Sequence, residues 1–216
     1  MIKISNIYKH FKKICVHKYW VSFYCNKAGI PWQGIIHDLS KFSPTEFWES
    51  VKYYQGGSSP IDACKKDKGY SMAWFHHRGR NKHHYEMWVD DFDHGGHPLL
   101  MPYKYAVELI CDYLAAGRAY MGKNFTYKKE YEWWKNKQTD TLAMHPAIQT
   151  FVELVLSDLM EKEQFNNWKD EPKKTSKITE KNNILKLFNK DYLYQRYVLS
   201  QVLERDNPYV LTVGGK

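Results

Sequence analysis

IKISNIYKHFKKICVHKYWVSFYCNKA, residues 2–28, is the stretch that decides the fold class. Ile4, Ile7, Tyr8, Phe11, Ile14, Cys15 and Val21 recur three and four positions apart, the period of one face of an α-helix. The spacing predicts one amphipathic helix with those residues inward. Gly29 and Pro31 end it and begin a short helix that carries His37-Asp38. Ser43-Pro44 starts another, because Ser caps a helix and Pro fits its first turn. Gly56 to Pro60 reads as a loop and 61–77 as a helix ending in His76-His77. RGRNK, 78–82, reads as a turn, with Asn81 shaping it, and DFDHGGHP, 91–98, reads as a loop. Pro102 opens a long helix to Gly122 with Ala106, Leu109, Ile110, Tyr113 and Leu114 inward. Residues 127–137 form a helix, and Pro146 opens one striped by Ile148, Phe151, Val152, Val155 and Leu159. No run alternates convincingly enough for a strand, and there is no repeat. The fold class is therefore all-α: a helical bundle over 1–164, a polar linker over 165–182, and a C-terminal helix and tail over 183–216. The last helix is apolar at 184, 187, 188, 192, 199, 202 and 203, and alone it is marginal in water, so it is expected to dock on the bundle.

Composition narrows the function classes. With 216 residues, of which 43% are hydrophobic, the chain is long enough for one packed domain. It has no apolar run near 18 residues, which argues against a membrane span. Its N-terminus interleaves Lys and His with apolar residues and lacks a signal-peptide core, so a cytoplasmic location is expected. The four cysteines, Cys15, Cys25, Cys64 and Cys111, form no CxxC pair and read as reduced, mostly buried thiols. The net charge of +8, from 32 Lys and Arg against 24 Asp and Glu, favours anionic partners. A small phosphorylated substrate fits, with nucleic acid as an alternative that no motif supports. Residues 173–190 hold six Lys against one Glu, so the bundle itself is less basic than the total.

The chemistry-bearing residues cluster in order. His17 comes first, then His37-Asp38 in IIHDLSKF, then His76, His77, His83 and His84 in FHHRGRNKHHYE, then Asp112 in ELICDYLAAG. Mixed imidazole and carboxylate ligands suit one or two divalent transition-metal ions, Fe, Mn, Co or Zn, with Mg as a further candidate. Adjacent helical residues point about 100° apart. His37 and Asp38 can thus approach one ion from two sides, or let the carboxylate bridge two ions. Asp112 sits in an apolar stripe, where an unpaired charge is costly. Arg78, Arg80 and Lys82 are candidates for holding phosphate. His94 and His97 read as loop residues, His145 as a helix cap before Pro146, and the tryptophans (Trp20, Trp32, Trp48, Trp74, Trp88, Trp133, Trp134) as core.

The order His17, His37-Asp38, Asp112 resembles the HD superfamily of helical metal-dependent phosphohydrolases. That resemblance implies an HD-domain-like bundle over 1–164 and hydrolysis of a phosphate ester, most plausibly a nucleotide or small metabolite, by a metal-activated water. Asp38 would be catalytic. HDLSK is similar to the HDxxK of some members, which implies that Lys41 faces substrate phosphate and shares in catalysis. Some HD members bind two irons through four His and two Asp and use oxygen, so a non-haem diiron oxygenase is the rival enzyme class. A nucleic-acid or nucleotide-binding module is the non-enzymatic alternative. HDLSKF, HHxxxNxHH (76–84) followed by Trp88, MPxxxxxEL (101–109) and MHPAIQTFVE also look like an uncharacterised bacterial and phage family of unknown function. Its members are sometimes labelled as catalases, but no haem motif is visible here. From that pattern His77 and His84 are the preferred ligands beside His17, His37, Asp38 and Asp112, with His76 and His83 second in each pair.

Overall fold

The computed structural model describes residues 3–137, 143–169, 184 and 186–205. They form an all-α bundle. Helix α1 (Ile4–Lys27) ends before Gly29, whose φ of 76° suits a residue without a Cβ. Helix α2 (Pro31–Ile36) lies close on α1 because Gly34 has no side chain: a Cβ there would meet the Ser22 Cα at 2.7 Å. Ser22 Oγ donates to the Gly34 carbonyl over 2.9 Å. A 3-10 turn, Leu39–Phe42, leads to α3 (Pro44–Lys52), capped by Ser43, whose Oγ accepts from the Glu46 N–H.

The single helix expected over 61–77 is two, α4 (Pro60–Lys68) and α5 (Met72–Arg78). Gly69 stops α4 in a left-handed cap at φ 80°, and Ser71 then caps α5 by accepting from the Trp74 N–H. In the 91–98 region expected as loop, His97–Pro98 pairs antiparallel with Val89–Asp90. Two residues per strand are too few to show alternation in sequence. Among the described residues there follow α6 (Tyr103–Met121), α7 (Tyr127–Lys137), α8 (Pro146–Lys169), helical residues at 184, 186 and 187, and α9 (Lys190–Arg205). His145 caps α8 as expected, its Nδ1 accepting from the Ala147 N–H over 3.1 Å. No helix among the described residues is long and apolar enough to cross a membrane.

The inward face of α1 is only part of its apolar stripe: Ile14 and Val21 are buried as expected. Ile4, Tyr8 and Phe11 are 84%, 67% and 47% exposed, and Cys15 is exposed too. The buried line is His10, Ile14, His17, Val21, Tyr24 and Cys25. It has the same three-and-four spacing, rotated by roughly a third of a turn. Of the two histidines, His17 turns Nε2 toward Asp38 and Asp112, whereas His10 packs its ring against Phe47 and Tyr54. The tryptophans divide likewise: Trp134 is fully buried, but Trp32, Trp48 and Trp133 are exposed.

The core lies where α1, α6, α7 and α8 meet, with Tyr24, Leu109, Ile110, Leu114, Trp134, Phe151 and Leu159 at its centre. The C-terminal segment completes it. Ile184, Phe188, Leu193 and Tyr197 are buried in the same cluster. Tyr197 Oη donates to the Met101 carbonyl over 2.6 Å, and Arg196 Nε donates to Asp158 Oδ2 over 2.6 Å. Helix α8 continues through Lys169, so 165–169 are helical rather than linker; 170–182 lie outside the described residues. The helix expected over 183–205 is broken at Phe188-Asn189: 184, 186 and 187 are helical, and α9 then restarts at Lys190, capped by Asn189, whose Oδ1 accepts from the Tyr192 N–H. Its buried residues are Leu193, Tyr197 and Ser200, while Leu199, Val202 and Leu203 of the expected stripe are exposed.

Two outcomes follow from this packing. Phe188→Ala opens a cavity in the shared core and is expected to lower unfolding free energy by about 3–5 kcal/mol, measured by urea denaturation; an unchanged midpoint would mean the segment does not contribute. Glu130, on α7, is buried against Gly117 of α6. Burial, and then the negative charge of Asp112, raise its carboxyl to about 8, above its value in the unfolded chain. The stability this group contributes is complete below the unfolded pKa of about 4.3 and is lost as pH rises through 8. Thermal midpoints should fall from pH 5 to pH 8, and Glu130→Gln should flatten that slope.

Candidate metal centre

Five histidines and two aspartates converge from α1, the C-terminal end of α2, the end of α5, the turn that follows it and α6. His17 comes from the buried line of α1. His37 caps α2, its carbonyl held by Lys18 Nζ at 2.9 Å. Asp38 follows in a left-handed conformation at φ 53°, which Asp tolerates better than most residues. The pair therefore lies just past a helix, not within one as the 100° argument assumed, and the backbone reversal turns the two side chains toward one centre. His77 ends α5. Asn81 Nδ2 donates to the His77 carbonyl and to Ser40 Oγ, shaping the turn that returns His83 and His84 to the same place. Asp112 comes from the middle of α6.

Asp38 stands between two sets. Its Oδ2 lies 3.2 Å from His37 Nε2 and 3.8 Å from His17 Nε2. Its Oδ1 lies 3.3 Å from His77 Nε2 and 3.5 Å from His83 Nε2. Asp112 Oδ1 is 3.0 Å from His17 Nε2 and 3.5 Å from His37 Nε2. One group, His17, His37, Asp38 and Asp112, and a second, Asp38, His77, His83 and His84, each bring one ligand atom per residue within 4.8 Å of the others.

These atoms are close without being hydrogen-bonded. Nε2 of His17, His37, His83 and His84 and both oxygens of Asp38 are buried with no hydrogen-bond partner. Lys41 Nζ lies 2.6 Å from Asp38 Oδ2 as a charge contact without hydrogen-bond alignment. Buried polar atoms are ordinarily paired, and so many orphans aimed at one another are costly unless a cation lies among them. The spacing fits one. Two ligands each about 2.1 Å from a tetrahedral ion sit about 3.4 Å apart, and the distances above scatter around that value.

A further layer of carboxylates orients the imidazoles, and the sequence reading missed it. Glu108, one turn before Asp112, takes His37 Nδ1–H on Oε1 at 2.9 Å, with His83 Nδ1 3.3 Å from the same oxygen. Gln33 Nε2 donates to its Oε2 over 2.8 Å. Glu46, in the first turn of α3, accepts His77 Nδ1–H over 2.7 Å and His76 Nδ1–H over 2.6 Å. A carboxylate on Nδ1 fixes the proton there and leaves the Nε2 lone pair for a metal, as in carboxylate–histidine–metal triads. The signal available in sequence was the i, i+4 pair Glu108 and Asp112, which places both on one helix face.

The electrostatics agree. Burial, then the Lys41 charge, lowers His17 to about 4, and burial followed by the charges of His83 and His77 holds His84 well below its ordinary value. Both are neutral at physiological pH, the form in which an imidazole can take a metal. Burial would raise Asp38 and Asp112, but His37 and His77 around Asp38 and His17 and His37 around Asp112 outweigh it, so both stay ionised. Burial would lower His37, yet Asp38, Asp112 and Glu108 overcome it and hold it high. Those carboxylates favour any cation at that point, proton or metal.

The structure gathers His17, His37, Asp38, His77, His83, His84 and Asp112. His76 is left out, because it faces Glu46. Lys41 reaches the centre. Arg78, Arg80 and Lys82 do not. Arg78 lies over the Phe75 ring, Arg80 bonds the His76 carbonyl, and Lys82 is exposed near Tyr105, since the turn that aims His83 inward sends its polar neighbours out. A cavity of about 540 Å³ opens instead onto His17, His77, His84 and Asp112, with Lys13, Lys41, Lys65 and Lys137 on its walls. His94 pairs with Asp91 at the surface, 79% exposed in its side chain.

Glu108→Ala is expected to weaken metal binding about 10–100-fold, read by competition with a chromogenic chelator. Equal affinity in the variant would remove Glu108 from the orienting role. The model of a family of unknown function, DUF5662, matches residues 6–158, a span that contains the whole convergent set. No curated protein and no solved structure matches the chain.

Proposed function

The chain belongs to the DUF5662 family of unknown function, so its activity has to be read from its own site, and we propose that it is a two-metal hydrolase of small phosphate esters. The observation that carries this reading is Asp38, a single buried carboxylate with one oxygen toward His17 and His37 and the other toward His77 and His83. His17, His37 and Asp112 would hold one ion, His77, His83 and His84 the other, and Asp38 both. Fe, Mn, Co and Zn suit this donor set, with Mg the least matched to so many imidazoles. Bound divalent ions supply Lewis acidity and a hydroxide near neutral pH.

The chain's own residues supply the rest. Lys41, Lys13, Lys65 and Lys137 line the cavity and offset the charge of an anionic substrate. Lys41 makes a charge contact with the Asp38 carboxylate and lies on the cavity wall, so its ammonium would face the approaching phosphoryl oxygens. Burial would lower its pKa, but Asp38 and Asp112 hold it above its ordinary value, so it stays charged. The cavity volume is that of a small-molecule site. The resemblance of His17, His37-Asp38 and Asp112 to the HD phosphohydrolases points the same way.

The imidazole-rich set favours a second reading, a non-haem diiron oxygenase on the same ligands. A purely binding role toward nucleic acid would show instead as steep salt dependence of affinity with no turnover. Protein purified without chelator is expected to carry stoichiometric transition metal, and to release phosphate from nucleotides or phosphomonoesters with Mn, Fe or Co, anaerobically as well as in air. Asp38→Ala should reduce turnover to background with unchanged circular dichroism. Only trace metal after reconstitution overturns both enzyme readings, and iron-dependent oxygen uptake without phosphate release transfers the assignment to the oxygenase.

A further inference from the structure

One wall of the cavity lies beside the metal-ligating set and takes no part in it. We propose that this wall, formed by Tyr113 of α6, Glu86 after the His83-His84 turn, and Lys137 and Trp133 of α7, is a recognition subsite for a hydroxyl-rich, sugar-like portion of the substrate. The proposal rests on the phosphate-ester reading of the same cavity and names the part of the substrate that does not react.

Tyr113 is 7% exposed, lines the cavity, and has a buried hydroxyl with no hydrogen-bond partner. Glu86 also lines it, and its Oε2 is buried and unpartnered. Lys137 Nζ sits 5.1 Å from the Tyr113 ring centre and 4.9 Å from that of Trp133. Among the described residues it forms no ion pair. A phenol donor, a carboxylate acceptor and an ammonium thus share one wall without satisfying one another. Buried polar groups are ordinarily paired, and a site built to hydrogen-bond a ligand rejects analogues that leave its groups unpaired.

The charges select the ligand chemistry. A second anion meets the Glu86 carboxylate, and an amine meets the Lys137 ammonium. A hydroxyl is neutral, donates one hydrogen bond and accepts two, so a pair of hydroxyls can serve Glu86, Tyr113 and Lys137 together. Trp133, 41% exposed, offers an aromatic face for the C–H side of a sugar ring. The subsite also flanks the centre: Glu86 is two residues beyond His84, and Tyr113 follows Asp112. A sugar held there leaves its phosphate beside Lys41 and the ligand set.

The test is calorimetric titration of the full-length, metal-loaded protein with four probes: inorganic phosphate, free pentoses and hexoses, their monophosphates, and phosphoserine. Sugar phosphates are expected to bind at least about tenfold tighter than inorganic phosphate, a tenfold change being about 1.4 kcal/mol. Tyr113→Phe and Glu86→Gln should each abolish that advantage, leaving phosphate affinity and metal content unchanged. Trp133→Leu, on a side chain 41% exposed, gives the same readout if either of those variants fails to fold. Sugar phosphates that bind no better than inorganic phosphate, or a preference that survives the substitutions, overturn the subsite. So does a Glu86-dependent preference for phosphoserine, which would mark a zwitterion site. If neither phosphate nor sugar phosphates bind, the phosphate-ester reading fails by itself. Free sugars then decide: binding lost in Tyr113→Phe upholds the subsite, and no binding overturns it.

Discussion

The Asp38 carboxylate is the group on which the rest of the arrangement depends. It is 3% exposed, and neither oxygen has a hydrogen-bond partner. An ionised carboxylate taken out of water is among the most costly groups a fold can bury unless positive charge compensates it. The surroundings are organised around that need. His37 and His77 face its two oxygens, Lys41 contacts one of them, and a left-handed backbone turn points it into the bundle. Asp tolerates that backbone conformation at modest cost, and a sparsely populated φ at a buried charged residue is a mark of functional sites.

Around Asp38 the carboxylates alternate with imidazoles in two layers. The inner layer, Asp38 and Asp112, faces Nε2 atoms. The outer layer, Glu108 and Glu46, takes Nδ1–H. Each histidine bonded to an outer carboxylate is thereby locked in one tautomer and one ring orientation. Glu108 is itself fixed by Gln33, and α2, which carries Gln33, approaches α1 only because residue 34 is glycine. Precision at the centre thus descends through Gln33 and Gly34 to the packing of two helices. A rigid, largely preassembled donor set loses less free energy to reorganisation when it binds an ion than a flexible one would.

Helix existence was legible because it rests on local signals. Ser43-Pro44, Pro146, Gly29 and the 127–137 segment each gave the right element. What the sequence concealed was orientation. On α1 the apolar residues Ile4, Tyr8 and Phe11 form the better stripe by hydropathy, yet the buried line runs through His10 and His17. A hydropathy pattern counts histidine as polar and outward, whereas here His17 faces carboxylates more than 20 residues away and His10 packs against the rings of Phe47 and Tyr54. The same non-local cause hid Glu46 and Glu108: their partners lie 31 and 71 residues distant. His83 was ranked behind His84, since nothing in HHRGRNKHH distinguishes them before the turn at Asn81 is built. The basic residues of that loop were assigned to phosphate for their nearness in sequence to the histidines. The turn separates them in space.

The division of the cavity wall carries the functional argument one step further. Histidines and aspartates occupy one side, where borderline imidazoles and hard carboxylates meet and buried atoms are unpartnered in a converging array. Lysines and aromatic rings occupy the rest, with Tyr113 and Glu86 unpartnered singly. A catalytic array must be rigid and shared by every substrate, so it is built from helix interiors and caps. A discriminating wall must reject close analogues, and it does so by leaving polar groups unsatisfied until the right ligand arrives. On the proposed reading the two demands fall on neighbouring residues of α6, Asp112 for the first and Tyr113 for the second. Successive helical side chains diverge by about 100°, so a single helix would position both the proposed reacting centre and the group proposed to read the substrate.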